Sequence, residues 1–462
     1  MFLKLRLWST LKEEYLGGKC LLSCLSQRKR NYCLSMVAAV NTKIALKNIY
    51  TFYVSKHKMI RRPFYLKQLE QWIDKPLVKI LTGIRRSGKS TILLLLKKVL
   101  LEKGITENSI IALNFESLTT EHLKNAPSLY EYLAGQLTKD KKFYILLDEI
   151  QEVQAWEKVV NSLLVDFNVD VYLTGSNAHL LSSELATYLA GRYIEIPVYT
   201  LSFKEYLLFN SVYQTAVSSI KESFVTYLRK GGFPIIHTGN YDEDTTYKVI
   251  RDIYASVLLR DTIQRYKIRD IDLLERVTRF AFDNIGNTFS GKSISDYFKS
   301  QSRKTDVNTI YNYLSALEGA FILYRVSRFD IKGKEILKTQ EKFFVSDLSL
   351  LYAMMGYRDR MIGGILENVV FLELKRREYK VYIGKLDSRE IDFIAEKQEK
   401  KIYIQVAYKL ENEATIHREF SPLLAILDNY PKFVVTMDEF WKEDIEGVKH
   451  VQIHDFLLDD SY

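Results

Sequence analysis

The eight residues Gly83-Ile-Arg-Arg-Ser-Gly-Lys-Ser90 constrain this chain more than any other stretch. They follow a short apolar run at 77–82 (Leu-Val-Lys-Ile-Leu-Thr) and precede a longer one from Thr91 to Leu101. A buried strand, a glycine-bracketed loop and an apolar helix in immediate succession form a phosphate cradle. Gly83 and Gly88 let the backbone curl, so that consecutive N–H groups point inward. The helix that follows aims its positive N-terminal end at the same point. Lys89 is then set to reach the β and γ phosphates of a nucleotide, and the Ser90 hydroxyl to ligate Mg²⁺. The expected nucleotide contacts are Gly83, Ile84, Arg85, Arg86, Ser87, Gly88, Lys89, Ser90 and Thr91, with ATP and Mg²⁺ as cofactors.

Such a loop needs an acidic strand end some tens of residues later. Residues 142–149 (Lys-Phe-Tyr-Ile-Leu-Leu-Asp-Glu) supply one. Asp148 would hold Mg²⁺ through water, and Glu149 would polarise the attacking water. Between the two motifs, Ser109 to Phe115 reads as a strand and Pro127 to Leu137 as a helix. A further strand, Val169 to Thr174, runs into Gly175-Ser176-Asn177. Ser176 and Asn177 read either as polar sensors of the γ-phosphate or as ordinary turn residues. Arg192, before a strand at Tyr193 to Val198, reads either as a finger reaching a neighbouring subunit's nucleotide or as a surface arginine paired with a carboxylate. Strands alternating with helices over 77–198 predict a parallel sheet covered on both faces.

The motif set Thr82-Gly-Ile-Arg-Arg-Ser-Gly-Lys-Ser90, Leu147-Asp-Glu-Ile-Gln151, Leu173-Thr-Gly-Ser-Asn177, Leu189-Ala-Gly-Arg192 and Leu201-Ser-Phe-Lys-Glu-Tyr206 resembles one family. It is the AAA+-type P-loop ATPases of archaea and bacteria that carry a C-terminal domain of unknown function. Gly231-Gly-Phe-Pro234 and a helix with Arg260-Asp261 fit the same pattern. The resemblance covers nearly all of 59–462. It implies ATP binding and hydrolysis, an AAA+ core and a nuclease-like tail, and it implies no substrate.

On this reading the chain is α/β throughout, with an ATPase core at 59–201 and a helical lid at 202–275 that the resemblance sets over the nucleotide. Arg260 in the lid reads as a second arginine sensor or as a helix-surface ion pair. Residues 276–335 look like a winged helix, with a short helix at Ser293 to Lys299, a longer one from an Asp306 cap to Gly319, and a strand at Phe321 to Arg328. Such a unit can set a helix in a DNA groove or serve as a protein interface. Lys299, Arg303 and Lys304 form a basic cluster compatible with either.

The tail, 336–462, reads α-β-β-β-α-β: a helix at Gly364 to Glu378, strands at Lys380 to Ile383, Glu390 to Ala395 and Lys401 to Ala407, a helix, and a strand at Lys432 to Met437. That order resembles the restriction-endonuclease-like fold. Active members hold Mg²⁺ with an Asp and with Glu-x-Lys on the next strand. Asp392 stands in the first place, but the next strand reads Gln405-Val406-Ala407. Gln brings one neutral oxygen to a hard cation where a carboxylate brings charge. Ala407 removes the lysine, and Glu367 and Lys409 compensate in part. The tail is therefore expected to be an inactive, structural or binding relative of a nuclease.

Charge does not point to nucleic acid. The net charge is +9, yet residues 1–58 hold eleven of the 66 Lys and Arg and two of the 57 Asp and Glu, which leaves 55 of each in 59–462. All three cysteines, Cys20, Cys24 and Cys33, also lie in that leader, so the rest can have neither a disulfide framework nor a cysteine-ligated zinc site. The leader reads as a targeting segment, a basic arm or a stretch upstream of a true start at Met59; it is expected to be disordered or a mis-assigned start. No run reaches the roughly 18 apolar residues of a membrane span. Without a signal peptide, the cytoplasm is the expected compartment.

The function expected from the sequence is an ATP-driven, Mg²⁺-dependent switch or motor of undefined target. An ATP-gated DNA-binding protein or nuclease and a nucleotide-held scaffold are the alternatives. The expected partners are ATP, a homo-oligomer if Arg192 serves a neighbour, and DNA or a protein as target, with no membrane.

Overall fold

A computed structural model describes residues 59–181, 187–189, 191–213, 218–239, 241–302, 305–356, 361–438 and 444–461. The leader with its cysteines, and Arg303 and Lys304 of the basic cluster, lie outside the described residues.

Strands that are apolar at successive positions bury both faces. β1 (Val78–Thr82), β2 (Ile110–Asn114), β3 (Phe143–Asp148), β4 (Val169–Gly175) and β5 (Tyr193–Pro197) form one sheet in the order β2-β3-β4-β1-β5. Every pairing in it is parallel, as the strand–helix alternation predicts. Alternate residues feed two cores. Tyr144, Leu146 and Tyr172 pack on the face covered by α1 (Pro63–Trp72) and α2 (Lys89–Glu102). Ile145, Leu147 and Leu173 pack on the face covered by α3 (Ala126–Ala134) and α4 (Trp156–Asp166). Two helix ends differ from expectation. α2 begins at Lys89, inside the phosphate motif, because Gly88 takes the left-handed N-cap conformation. α3 stops at Ala134, where Gly135 breaks the apolar run.

The next region is helical, as expected: α5 (Phe203–Tyr213), α6 (Ile220–Lys230), α7 (Pro234–Thr238), α8 (Glu243–Ser256) and α9 (Ile271–Asp283). A π-helical stretch, Val257–Gln264, runs on from α8. The boundary drawn at 275 falls inside α9, which buries Leu273, Leu274, Val277 and Ala281 along one stripe and so runs as a single helix.

β6 (Thr288–Phe289), α10 (Gly291–Ser300), α11 (Val307–Gly319), β7 (Leu323–Asp330) and β8 (Glu335–Val345) follow. Asp306 stands at the N-cap of α11 but makes no side-chain capping bond. Then come α12 (Leu348–Met355), α13 (Ile362–Arg376), β9 (Lys380–Leu386), β10 (Arg389–Lys397), β11 (Lys400–Ala407), α14 (Glu413–Leu424), β12 (Lys432–Thr436), β13 (Val448–Gln452) and α15 (Ile453–Leu458). One mixed sheet joins them in the order β13-β12-β11-β10-β9-β7-β8-β6. The boundary drawn at 335/336 therefore cuts through a hairpin: β7 pairs antiparallel with β8 and parallel with β9, so the ladder runs unbroken into the tail. Among the described residues no helix is long and apolar enough to cross a membrane.

Candidate functional site

The loop after β1 has the backbone its glycines predict. Gly83 has φ +142°, and a Cβ there would lie 2.2 Å from the Val198 carbonyl oxygen. Lys89 is buried, and its Nζ donates to the carbonyls of Gly83 at 2.9 Å and Ile84 at 3.1 Å. Burial pulls the Lys89 ammonium below its ordinary pKa, against the pull of Glu149, Asp148 and Asp261. The Ser87 hydroxyl is buried with no hydrogen-bond partner among the described residues. An ammonium held by the loop's own carbonyls and an orphaned hydroxyl beside it fit a phosphate chain. Ser90 and Thr91 are exposed at the start of α2. The Ser90 side chain lies beside the Asp148 carboxyl, so the two oxygens that would hold Mg²⁺ are neighbours.

The strand order sets β4 between β1 and β3, and the last residues of β4 therefore touch both motifs. The Thr174 hydroxyl donates to Asp148 Oδ1 at 2.6 Å and accepts from the Glu149 N–H at 2.9 Å. On the other side, Asn114, the register partner of Asp148, donates to its Oδ2 at 2.9 Å. Burial pushes the Asp148 carboxyl up to about 6; the Thr174 bond resists and the Glu149 charge adds. Burial acts on Glu149 too, but the Lys89 ammonium, 3.9 Å away, together with Gln151, Arg85 and Ser176 outweighs it and holds that carboxyl below its ordinary range. The Gln151 amide also donates to Glu149 Oε2. Glu149 is thus kept ionised beside the ammonium, the state a proton acceptor needs.

The sensor and arginine candidates part company. The Ser176 hydroxyl faces Asp261 Oδ1 at 3.4 Å and lies 3.4 Å from the Gln151 amide, inside the same cluster. Asn177 is buried and lies beside the Tyr266 side chain. Arg85 turns from the loop toward the π-helical stretch: its Nε donates to Asp261 at 3.0 Å and its Nη1 to Glu116 at 2.5 Å. Arg260 reaches Glu116 at 3.1 Å and Glu152 at 3.3 Å, the surface ion pairs of its second reading. Arg86 is exposed with φ +69°. Arg192 precedes β5, at the opposite end of the sheet from the loop, and its guanidinium donates to the Leu189 carbonyl and to Asn161.

Four residues of the site were given no role from the sequence. Asn114 ends β2 as Asp148 ends β3, and Thr174 is next to last in β4, a signal readable only once the strand order is known. Asp261 lies 176 residues from Arg85. Arg62, just before α1, is buried; it donates to the Ser87 carbonyl at 2.8 Å, to the Tyr199 carbonyl at 3.0 Å, and to both Glu205 oxygens at 2.7 and 2.8 Å. It ties the phosphate loop to the start of α5 with an ion pair spanning 143 residues, for which no local pattern exists.

The Gly231–Pro234 turn is held by His237, whose Nε2 donates to the Gly231 carbonyl at 2.8 Å. Burial pulls this imidazole from 6.5 down to about 4. The unfolded chain then takes up the proton first as pH falls, so the stability that the neutral ring supports is whole above pH 6.5 and lost on the way to 4. The loss is on the order of 3 kcal/mol. Urea midpoints across that window should fall more steeply for the wild type than for His237→Gln; equal slopes would remove His237 from the account.

Residues 75–207 match a family model described as an AAA domain, and residues 221–360 match one described as a domain of unknown function (DUF8612). An uncharacterized protein of Haemophilus influenzae is 39% identical over 401 residues, spanning 87% of this chain and 99% of that protein. The uncharacterized protein MJ1544 of Methanocaldococcus jannaschii is 31% identical over 415 residues, spanning 86% and 89%. Among solved structures, the Walker-type ATPase PABY2304 of Pyrococcus abyssi superposes with a TM-score of 0.46 at 16% identity, covering 64% of this chain and 96% of that one. Cdc6p from Pyrobaculum aerophilum superposes with a TM-score of 0.29 at 12% identity, covering 68% and 95%.

Proposed function

We propose that this chain, which belongs to the family that joins an AAA domain to the domain of unknown function DUF8612, is a P-loop ATPase whose Mg²⁺-dependent hydrolysis of ATP works a switch or motor. The observation that carries this reading is one convergence: Lys89 lies 3.9 Å from Glu149, and the Thr174 hydroxyl is bonded to both Asp148 and Glu149.

The loop N–H groups and Lys89 bind the phosphates, with Lys89 exchanging the Gly83 and Ile84 carbonyls for phosphate oxygens. Ser90 and Asp148 would hold Mg²⁺, which supplies positive charge against the β and γ phosphates. Asn114 and Thr174 fix the Asp148 carboxylate. Water attacks the γ-phosphorus in line with the departing ADP oxygen, and Glu149 takes the water's proton. Arg62 keeps the Ser87 carbonyl, and with it the loop, in register during this exchange.

The contacts of Arg85 support the switch. Its partner Asp261 belongs to the π-helical stretch, which packs against α11. Drawing Arg85 toward phosphate loosens its hold on Asp261 and so passes the nucleotide state to the helical region. π-helical turns of this kind recur at functional sites. The pair α10–α11 with the β7–β8 hairpin is our candidate winged helix for contact with a DNA or protein target. Lys299 there is already paired with Asp296 at 3.3 Å. Arg192 serves as a finger only in a homo-oligomer, where it must leave Asn161.

Calorimetric titration of the full chain with ATP tests the reading. ATP should bind, and more tightly with Mg²⁺ than without; absence of binding under both conditions would overturn it.

A further inference from the structure

The mixed sheet carries a charge cluster outside the nucleotide site. Lys342 of β8 is 1% exposed. Its Nζ lies 2.9 Å from Glu367 Oε2 on α13, and 2.8 Å from Glu390 Oε1 and 3.5 Å from Asp392 Oδ1 on β10. Asp392 is placed by a bulge: against β9 the register shifts between Ile391 and Ile394, so that Asp392 and Phe393 together stand opposite Ile383. Burial alone would strip the proton from Lys342; the charges of Asp392, Glu367 and Glu390 outweigh it and raise the ammonium above its ordinary pKa.

A restriction-endonuclease-like tail would keep Mg²⁺ at Asp392 and its neighbours. The residues present do not fit that ion. Mg²⁺ needs near-octahedral oxygen ligands facing it at about 2.0–2.1 Å. Here an ammonium already sits among the carboxylates, three N–H donors against three acceptors. Two further oxygens of the cluster are engaged as well. Asp392 Oδ2 accepts from the Val406 N–H at 2.8 Å, and Gln405 Oε1 accepts from the Asp392 N–H at 3.3 Å.

We infer that Lys342 is the built-in cation of this cluster: its ammonium stands where a divalent ion would bind, closes the tail to metal-dependent phosphodiester cleavage, and ties β8, α13 and β10 together. The tie also serves the helical region. β8 leads directly into Asp347, whose Oδ2 accepts from the Gly232 N–H at 2.8 Å. The strand that Lys342 anchors therefore ends against the turn between α6 and α7. Removing the ammonium leaves three carboxylates facing one another, at a strong cost in stability, and opens the space to a metal.

Mn²⁺ binding by electron paramagnetic resonance and thermal unfolding, both on the full chain without nucleotide, test this. In the wild type, Asp392→Asn should change neither the number of Mn²⁺ bound nor the response of Tm to Mn²⁺. Lys342→Ala should lower Tm, gain one bound Mn²⁺ and recover much of the lost Tm when Mn²⁺ is added. Adding Asp392→Asn to that variant should abolish the gain. A wild-type Mn²⁺ site lost in Asp392→Asn would overturn the inference, as would a folded Lys342→Ala indifferent to Mn²⁺. Should Lys342→Ala fail to fold, the wild type and Asp392→Asn decide the matter alone.

Discussion

Glu149→Gln should bind ATP and all but stop hydrolysing it. The amide matches the carboxylate in size and keeps a partner in Gln151, so the loop and its phosphate contacts stay in place. What is lost is the proton acceptor. Lys89, with Gln151, Arg85 and Ser176, keeps Glu149 ionised against its burial, and glutamine accepts no proton there. General-base catalysis contributes about 10²–10⁴-fold, so kcat should fall by that factor. Single-turnover hydrolysis of bound ATP separates this from a binding defect. Near-normal turnover in Glu149→Gln would assign the proton to another group and sink the role given to this residue.

Lys89→Ala should fail one step earlier. A hydrogen bond with a charged partner contributes about 1.5–3 kcal/mol, and an ammonium offers the phosphates more than one. ATP affinity should therefore drop by at least roughly 10²-fold. Stability without nucleotide should fall as well, because Glu149 and the Gly83 and Ile84 carbonyls lose a buried ammonium; relief of the desolvation that depresses the Lys89 pKa offsets part of that cost. The readout is Tm with and without ATP. Binding to the folded state alone raises Tm by mass action, so the wild type should shift and Lys89→Ala should not. A variant still stabilised by ATP would show that another group holds the phosphates.

What could be read along the chain was local. Gly83 to Ser90 spells its own geometry, and Phe143 to Asp148 is apolar enough to demand burial on both faces. The alternation of such strands with helices was sufficient for a parallel sheet. Ser176 was found beside Asp148 and Glu149 because all three lie at the C-terminal ends of neighbouring strands of that sheet. Thr174 and Asn114 were missed because their importance depends on which strands are neighbours, and the order β2-β3-β4-β1-β5 leaves no trace in spacing. Ion pairs across the fold were equally silent. Arg85 and Asp392 were singled out for other roles, but nothing in the chain shows that Arg62 meets Glu205, Arg85 meets Asp261 or Lys342 meets Asp392. The two displaced boundaries have a related cause. A helix at 271–283 and a hairpin at 323–345 were divided where the local pattern changed, while hydrogen bonding and packing ran on.

The central claim is that these strand ends form an ATPase site, and steady-state ATP hydrolysis by the full chain tests it most directly. Wild type and Lys89→Ala are to be compared in Mg²⁺, with and without double-stranded DNA. The account predicts turnover in the wild type that is lost in Lys89→Ala. A rise with DNA would identify nucleic acid as the target, and indifference to DNA would direct the search to proteins. Absence of turnover in both, under conditions where ATP binds the wild type, would contradict the account and leave a scaffold held in shape by its nucleotide.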